Sequence, residues 1–144
     1  MAQQKIRIAV VGLHFGAEFV PIYQRHPEVG EVVLCDLDTR RLQEVGDQFG
    51  VVRRFTDFES LLGTPDIDAV HLLTPFLLHA AQTLRVLEAG KHCASAVCMG
   101  STLDELRRIV VASAAAKRQP VPPGERSFSA RQYGRRRRGD TLLV

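Results

Sequence analysis

Dense apolar runs alternate along the chain with stretches whose apolar residues recur at helical spacing. The run IRIAVV over 6–11 is near-continuous and mostly β-branched, which suits a strand covered on both faces. Gly12 ends it, and Gly16 lies where the next helix is expected to open. Ala17 to His26 reads as that helix, with Phe19, Val20 and Tyr23 as its stripe and Pro21 in its opening turns. Pro27 and Gly30 close it. EVVLCD (31–36) is a second strand. Asp38 or Thr39 can cap a helix to Phe49, with Leu42, Val45 and Phe49 inward and Gly50 as its stop. VVRRF is a short third strand, and Asp57 can cap a helical turn over FESLL. AVHLLTP (69–75) is a fourth strand. Phe76 to Glu88 is helical in pattern, with Leu77, Leu84 and Leu87 among its apolar positions and Gly90 as C-cap. KHCASAV (91–97) is a fifth strand. Two overlapping capping boxes, Ser101/Asp104 and Thr102/Glu105, open a last helix that runs to Arg118.

Strands alternating with helices predict an α/β fold, a doubly wound parallel sheet of the Rossmann type, over residues 4–118. The pattern stops after Arg118. Residues 119–144 hold three prolines in four positions, four consecutive arginines and no sustained apolar period, a composition that predicts a disordered basic tail. Arg/Pro/Gly-rich text of this kind also results when GC-rich coding DNA is read out of frame, so a truncated or frame-shifted end is expected here.

That tail changes the meaning of the net charge of +3. Through residue 118 there are 13 Lys and Arg against 14 Asp and Glu, and after it six Arg against two acids. The body has no basic excess, which argues against a nucleic-acid binder. Arg135 to Arg138, with Tyr133 as the one nearby aromatic, read as a solvated tail rather than a polybasic site. No run approaches the ~18 apolar residues of a membrane span. MAQQKIRI has no signal-peptide pattern, so a cytoplasmic protein with no membrane partner is expected. Cys35, Cys93 and Cys98 are then expected as reduced thiols.

Candidate chemistry gathers at the predicted strand ends. A strand, a glycine turn and a helix N-terminus make an anion site, with outward N–H groups and the helix dipole favouring a pyrophosphate. Aligned on Gly12, G-x-G-x-x-G/A places His14 at the second glycine and Ala17 at the third. A side chain at the second position alters the approach of the backbone to a pyrophosphate. Asp36 follows Gly12 by 24 residues at the end of the second strand. An acid there hydrogen-bonds the ribose hydroxyls of a dinucleotide and repels a 2′-phosphate, which favours NAD. Arg40 and Arg41 keep NADP open. Gly12, Asp36, Thr74 and Ala96 all fall at strand ends and are expected to converge on one crevice.

Other groups read as structural. His71, inside the fourth strand, is expected to be a packed core histidine, and Lys91 a solvated strand-start lysine. Cys93 and Cys98 are five apart with no second pair at zinc spacing, so no metal is expected and both read as buried small thiols. No nucleophile elbow or Walker lysine is present.

VVGLHFGAEFVPIYQRHPEV, EVVLCDLD, TDFESLLGTPDIDAVHLLTP with His79, and LEAGKHCASAVCMGSTLDELRRIV together resemble the Gfo/Idh/MocA oxidoreductases over residues 5–118. The resemblance implies the dinucleotide-binding half of an enzyme that transfers hydride between NAD(P) and a sugar, cyclitol or similar polyol. It implies that Gly12, Leu13, His14, Phe15 and Gly16 cradle the pyrophosphate and that Asp36, with Leu37 beside it, holds the ribose. Thr74, Pro75, His79 and Ala96 would lie along the nicotinamide path. Three departures stand against the family pattern. His14 replaces the second glycine, Phe76 replaces the asparagine of Thr-Pro-Asn, and Val97 occupies the position of the lysine in Glu-Lys-Pro. A valine cannot do acid–base work, so no catalytic residue is assigned and His79 is the one remaining candidate. The family's second, substrate-bearing domain is also expected to be missing, since the pattern stops after Arg118. The chain alone is therefore expected to be inactive, and the alternative is a non-catalytic NAD-binding or partner-binding remnant.

Overall fold

The computed structural model describes residues 5–96 and 98–118. Val97 and the tail 119–144 lie outside the described residues. Five strands, β1 (Ile6–Val11), β2 (Val29–Cys35), β3 (Arg54–Phe55), β4 (Ala69–Leu72) and β5 (His92–Ser95), form one sheet in the order β3-β2-β1-β4-β5. Every pairing is parallel. The chain leaves β3 at one edge and re-enters beside β1, so the direction of winding reverses between β1 and β4. That reversal is the topological switch point of a doubly wound sheet.

Alternation along the strands divides the core into two layers. Ile8 and Val10 of β1 and Val32 and Leu34 of β2 face one side, where Leu13, Val20, Leu42 and Val45 cover them. Ala9, Val11, Val33 and Cys35 face the other, against Leu61, Leu62 and Val86. The covering helices are α1 (Leu13–Gly16), α2 (Val20–Arg25) and α3 (Thr39–Phe49) on the first face, and α4 (Phe58–Leu62) and α5 (His79–Glu88) on the second. The last helix, α6 (Leu103–Arg118), packs against α5. Both faces of β1 are covered, which is why its apolar run does not alternate with polar residues.

Capping follows the sequence closely. Asp38 accepts from the Arg40 and Arg41 N–H groups at the start of α3, and Gly50 ends that helix at φ 65°. Asp57 accepts from Ser60 N at α4. Of the two boxes before α6, Thr102/Glu105 forms reciprocally: Glu105 N donates to Thr102 Oγ1 at 3.2 Å and Thr102 N to Glu105 Oε2 at 3.1 Å. These hydrogen bonds hold the Glu105 carboxyl below its ordinary range, with the Ser101 hydroxyl the largest cause.

Several expectations need correction. The first helix opens at Leu13, not Ala17, and continues through a 3-10 turn (Ala17–Phe19) into α2. Gly16 is inside the first turn because a Cβ there would come within 2.9 Å of Val10 Cγ1. It permits close helix–strand packing rather than marking where the helix opens. The second strand starts earlier, at Val29, the third contracts to Arg54–Phe55, and β4 and β5 are shorter than their apolar runs. Lys91 is buried, not solvated: its Nζ donates to Thr64 O at 2.6 Å and Ile67 O at 2.9 Å, and burial pulls its pKa down. Cys98 is exposed rather than buried, at φ 62°. Cys93 is half-buried and Cys35 fully buried, where desolvation pushes the Cys35 thiol up to about 12. His71 is a core histidine as expected. Its Nδ1 is hydrogen-bonded with the Tyr23 hydroxyl at 2.8 Å, and burial lowers its pKa to about 4.

Candidate functional site

The register of the sheet aligns the strand ends. Phe55, Cys35, Val11, Leu72 and Ser95 are successive partners across the five strands. The residues that follow stay in step, because Gly12 N donates to Cys35 O, Leu73 N to Val11 O and Ala96 N to Leu72 O, at 2.8–3.1 Å. Gly12, Asp36, Thr74 and Ala96 are therefore brought to one rim, across the switch point, as the spacing predicts. The hollow bordered by Gln24, Gly30, Gly50 and Val52 lies at the opposite end of β2, away from this rim.

Gly12 has a conformation that the rim depends on. Its φ is 89°, and a Cβ would come within 2.7 Å of Leu73 O and 2.9 Å of Thr74 N. The turn after β1 thus passes against the backbone leaving β4 with no room for a side chain. Beyond it, Leu13 N donates to Asp36 Oδ2 at 2.7 Å, and Asp38 N donates to Asp36 Oδ1 at 2.8 Å. One carboxylate pins the glycine turn to the loop after β2. The first-turn amides of a helix lack carbonyls one turn back. Gly16 N finds Gly12 O at 3.1 Å, which leaves His14 and Phe15 N–H as donors that the turn could offer to a phosphate. The His14 and Phe15 side chains are exposed, and Leu37 is 85% exposed, an apolar surface next to the carboxylate.

Arg41 lies over this carboxylate, its Nη1 4.0 Å from Asp36 Oδ2 and its Nη2 3.6 Å from Asp38 Oδ2. Arg40 is turned to Glu44 at 2.9 Å instead. Sequence reasoning treated the two arginines as equivalent. Helix geometry separates them, since only position 41 lies on the Asp36 side of α3. On the β4 side, Thr74 Oγ1 is 2.5 Å from Gln82 Oε1, and Pro75 and Phe76 are exposed. His79 is 3% exposed, with Nε2 2.7 Å from Thr74 O and Nδ1 3.1 Å from Cys98 O. Gln82 is a partner of Thr74 that the motif did not single out. Its spacing of eight from Thr74 carries no local signal. Among the described residues no three His, Cys, Asp or Glu side chains are grouped to hold a metal, and no helix is long and apolar enough to cross a membrane.

An oxidoreductase family with an NAD-binding Rossmann fold, Gfo/Idh/MocA, matches residues 6–121. The chain belongs to this family. It is similar to 1,5-anhydro-D-fructose reductase of Ensifer adhaerens, 36% identical over 85 residues, covering 58% of this chain and 26% of that protein. It is similar to D-apiose dehydrogenase of Rhizobium rhizogenes at 34% identity over 92 residues, 60% of this chain and 26% of that one. Among solved structures, scyllo-inositol dehydrogenase of Lactobacillus casei superposes with a TM-score of 0.74 at 26% identity, covering 81% of this chain and 35% of that one. The WlbA dehydrogenase of Bordetella pertussis, solved with NADH and UDP-GlcNAcA, gives 0.71 at 30% identity over 78% of this chain and 35% of that one. The chain thus spans about a quarter to a third of these relatives, and the part it spans is the family's NAD-binding Rossmann domain.

Proposed function

We propose that the chain binds NAD at the rim formed by Gly12–Gly16, Asp36, Leu37, Thr74, Pro75 and Ala96, as the cofactor half of an oxidoreductase acting on a sugar, cyclitol or similar polyol. The observation that carries this reading is the Asp36 carboxylate fixed against the glycine turn at the end of β2, where a ribose diol is recognised. The residues fit the nucleotide chemically: amides of the first helical turn for the pyrophosphate, a carboxylate for the ribose, and an exposed leucine beside it for the adenine. When bound, the nicotinamide accepts or gives the hydride. Asp36 disfavours a 2′-phosphate, while Arg41 beside it gives NADP a weaker foothold.

With Val97 at the position of the family's lysine, this stretch binds nucleotide and supplies no acid–base group at that position. A polyol becomes a partner only together with a substrate domain. The place of work is the cytoplasm. A second reading, a binding module without chemistry, is favoured by His14 and Val97, both departures at positions that serve cofactor or substrate.

Isothermal titration of the full chain with NAD and with NADP tests the proposal. Saturable micromolar binding of NAD, with NADP weaker, is the expected result, together with no NADH formation from polyols. Failure to bind either nucleotide would overturn it.

A further inference from the structure

Above the rim the sheet's ladder ends, and among the described residues no further backbone hydrogen bond joins the loops after β4 and β5. Its last bond there is Ala96 N to Leu72 O at 3.1 Å. One buried side chain continues the connection. His79 places Nε2 2.7 Å from the carbonyl of Thr74 and Nδ1 3.1 Å from that of Cys98. Its ring is 3% exposed, so neither nitrogen faces the solvent where a nucleotide would lie. The far loop is held from its other side as well. Glu105 Oε2 accepts from Ser101 N at 2.7 Å and Ser101 Oγ at 2.9 Å, and a Cβ on Gly100 would come within 3.0 Å of Glu105 Cβ. Between these two anchors Cys98 sits at φ 62°, a backbone state that a non-glycine residue holds only when its surroundings impose it.

We propose that His79 is a positioning residue. Its ring packs between the Thr74–Pro75 loop and the Cys98–Ser101 loop and donates its N–H to one of the two carbonyls, and so sets the spacing of the two walls at the nicotinamide end, without touching the nucleotide. This rests on the nucleotide reading above only for its consequence in affinity. The brace itself is a property of the free chain.

Hydrogen–deuterium exchange and NAD titration of the full chain test it with three variants. His79→Ala removes the ring and its N–H, His79→Asn offers a donor near the Nδ1 position, and His79→Gln offers one near the Nε2 position. For His79→Ala, exchange of the 76–78 and 98–101 amides should speed about tenfold while the β1 and β2 amides stay protected, and the NAD Kd should rise about tenfold. One of the other two should restore protection in its own loop, His79→Asn at 98–101 where the ring N–H lies on Nδ1, or His79→Gln at 76–78 where it lies on Nε2. Uniform loss of protection in all three variants would make His79 mere core filling and overturn the brace, as would unchanged loops. An unchanged Kd in a wild type that binds NAD would also overturn it. Should wild type bind no NAD, the nucleotide reading falls, and the loop-specific exchange pattern still decides the brace. If His79→Ala does not fold, the split between the Asn and Gln variants decides alone.

Discussion

The backbone N–H of Leu13 donates to Asp36 Oδ2 at 2.7 Å, so the carboxylate expected to recognise a ribose is also a structural part of the glycine turn. Its other oxygen accepts from Asp38 N, and its side chain is 11% exposed. Binding and folding therefore share one residue. Asp36→Ala should cost about 1–3 kcal/mol in urea unfolding, from two amides left without their acceptor. It should also weaken NAD about tenfold while weakening NADP less, because Arg41 is released from its carboxylate neighbour. Adding Arg41→Ala should abolish the relative gain for NADP. A single mutant with the wild-type preference for NAD over NADP would remove Asp36 from the ribose site.

Gly12 and Gly50 both have positive φ, at 89° and 65°, but their surroundings differ. A Cβ on Gly12 would strike the Leu73 carbonyl, whereas nothing lies within 4 Å of one on Gly50. Gly50→Ala therefore meets only the backbone penalty, about 1 kcal/mol. Gly12→Ala adds a clash with backbone that cannot yield cheaply, for a total of about 3 kcal/mol. Paired thermal melts check this, and equal costs would show that the turn after β1 relaxes away from β4.

His71 gives the fold a specific acid sensitivity. Burial lowers its pKa from 6.5 to about 4, so between those values the unfolded chain binds the extra proton and the folded one resists it. Stability from this group is complete above pH 6.5 and is lost as pH falls towards 4. From pH 7 to pH 5 the loss is about 2 kcal/mol. His71→Asn keeps an acceptor for the Tyr23 hydroxyl but does not titrate. Its unfolding free energy should fall by about 2 kcal/mol less over that interval. Parallel pH profiles for the two proteins would place the sensitivity elsewhere.

These expectations depend on elements that the sequence made legible to different degrees. Asp38, Gly50, Asp57 and the Thr102/Glu105 box act within a turn of their own position, so pattern alone located them. Their partners lie two to four residues away. Gly12 and Asp36 were legible as a pair because a 24-residue βαβ spacing leaves little freedom in where the second strand ends. Gly16 was misjudged because its reason for being glycine, Val10 Cγ1 in the adjoining strand, is a tertiary contact. Lys91 was misjudged likewise. The carbonyls that receive it, of Thr64 and Ile67, come from a loop more than twenty residues away. His79 combined both cases. Its place in the motif was visible, but the Cys98 carbonyl it reaches was not.

His14 separates a degraded nucleotide site from one put to another use. Its backbone N–H belongs to the first turn of α1, and its side chain is exposed at the rim, where the fingerprint has a glycine for close approach of the pyrophosphate. Replacing it with glycine removes the side chain from that approach, at a cost of about 1 kcal/mol in helix propensity. If the imidazole obstructs a site otherwise intact, His14→Gly should tighten NAD about tenfold or more despite the small loss of stability. If His14 instead serves the bound nucleotide, for example by facing a phosphate, the same change should weaken NAD. An unchanged affinity would mean that the pyrophosphate does not pass over position 14. The anion cradle would then have to be sought in the amide of Phe15 alone, a much poorer site than the fingerprint describes.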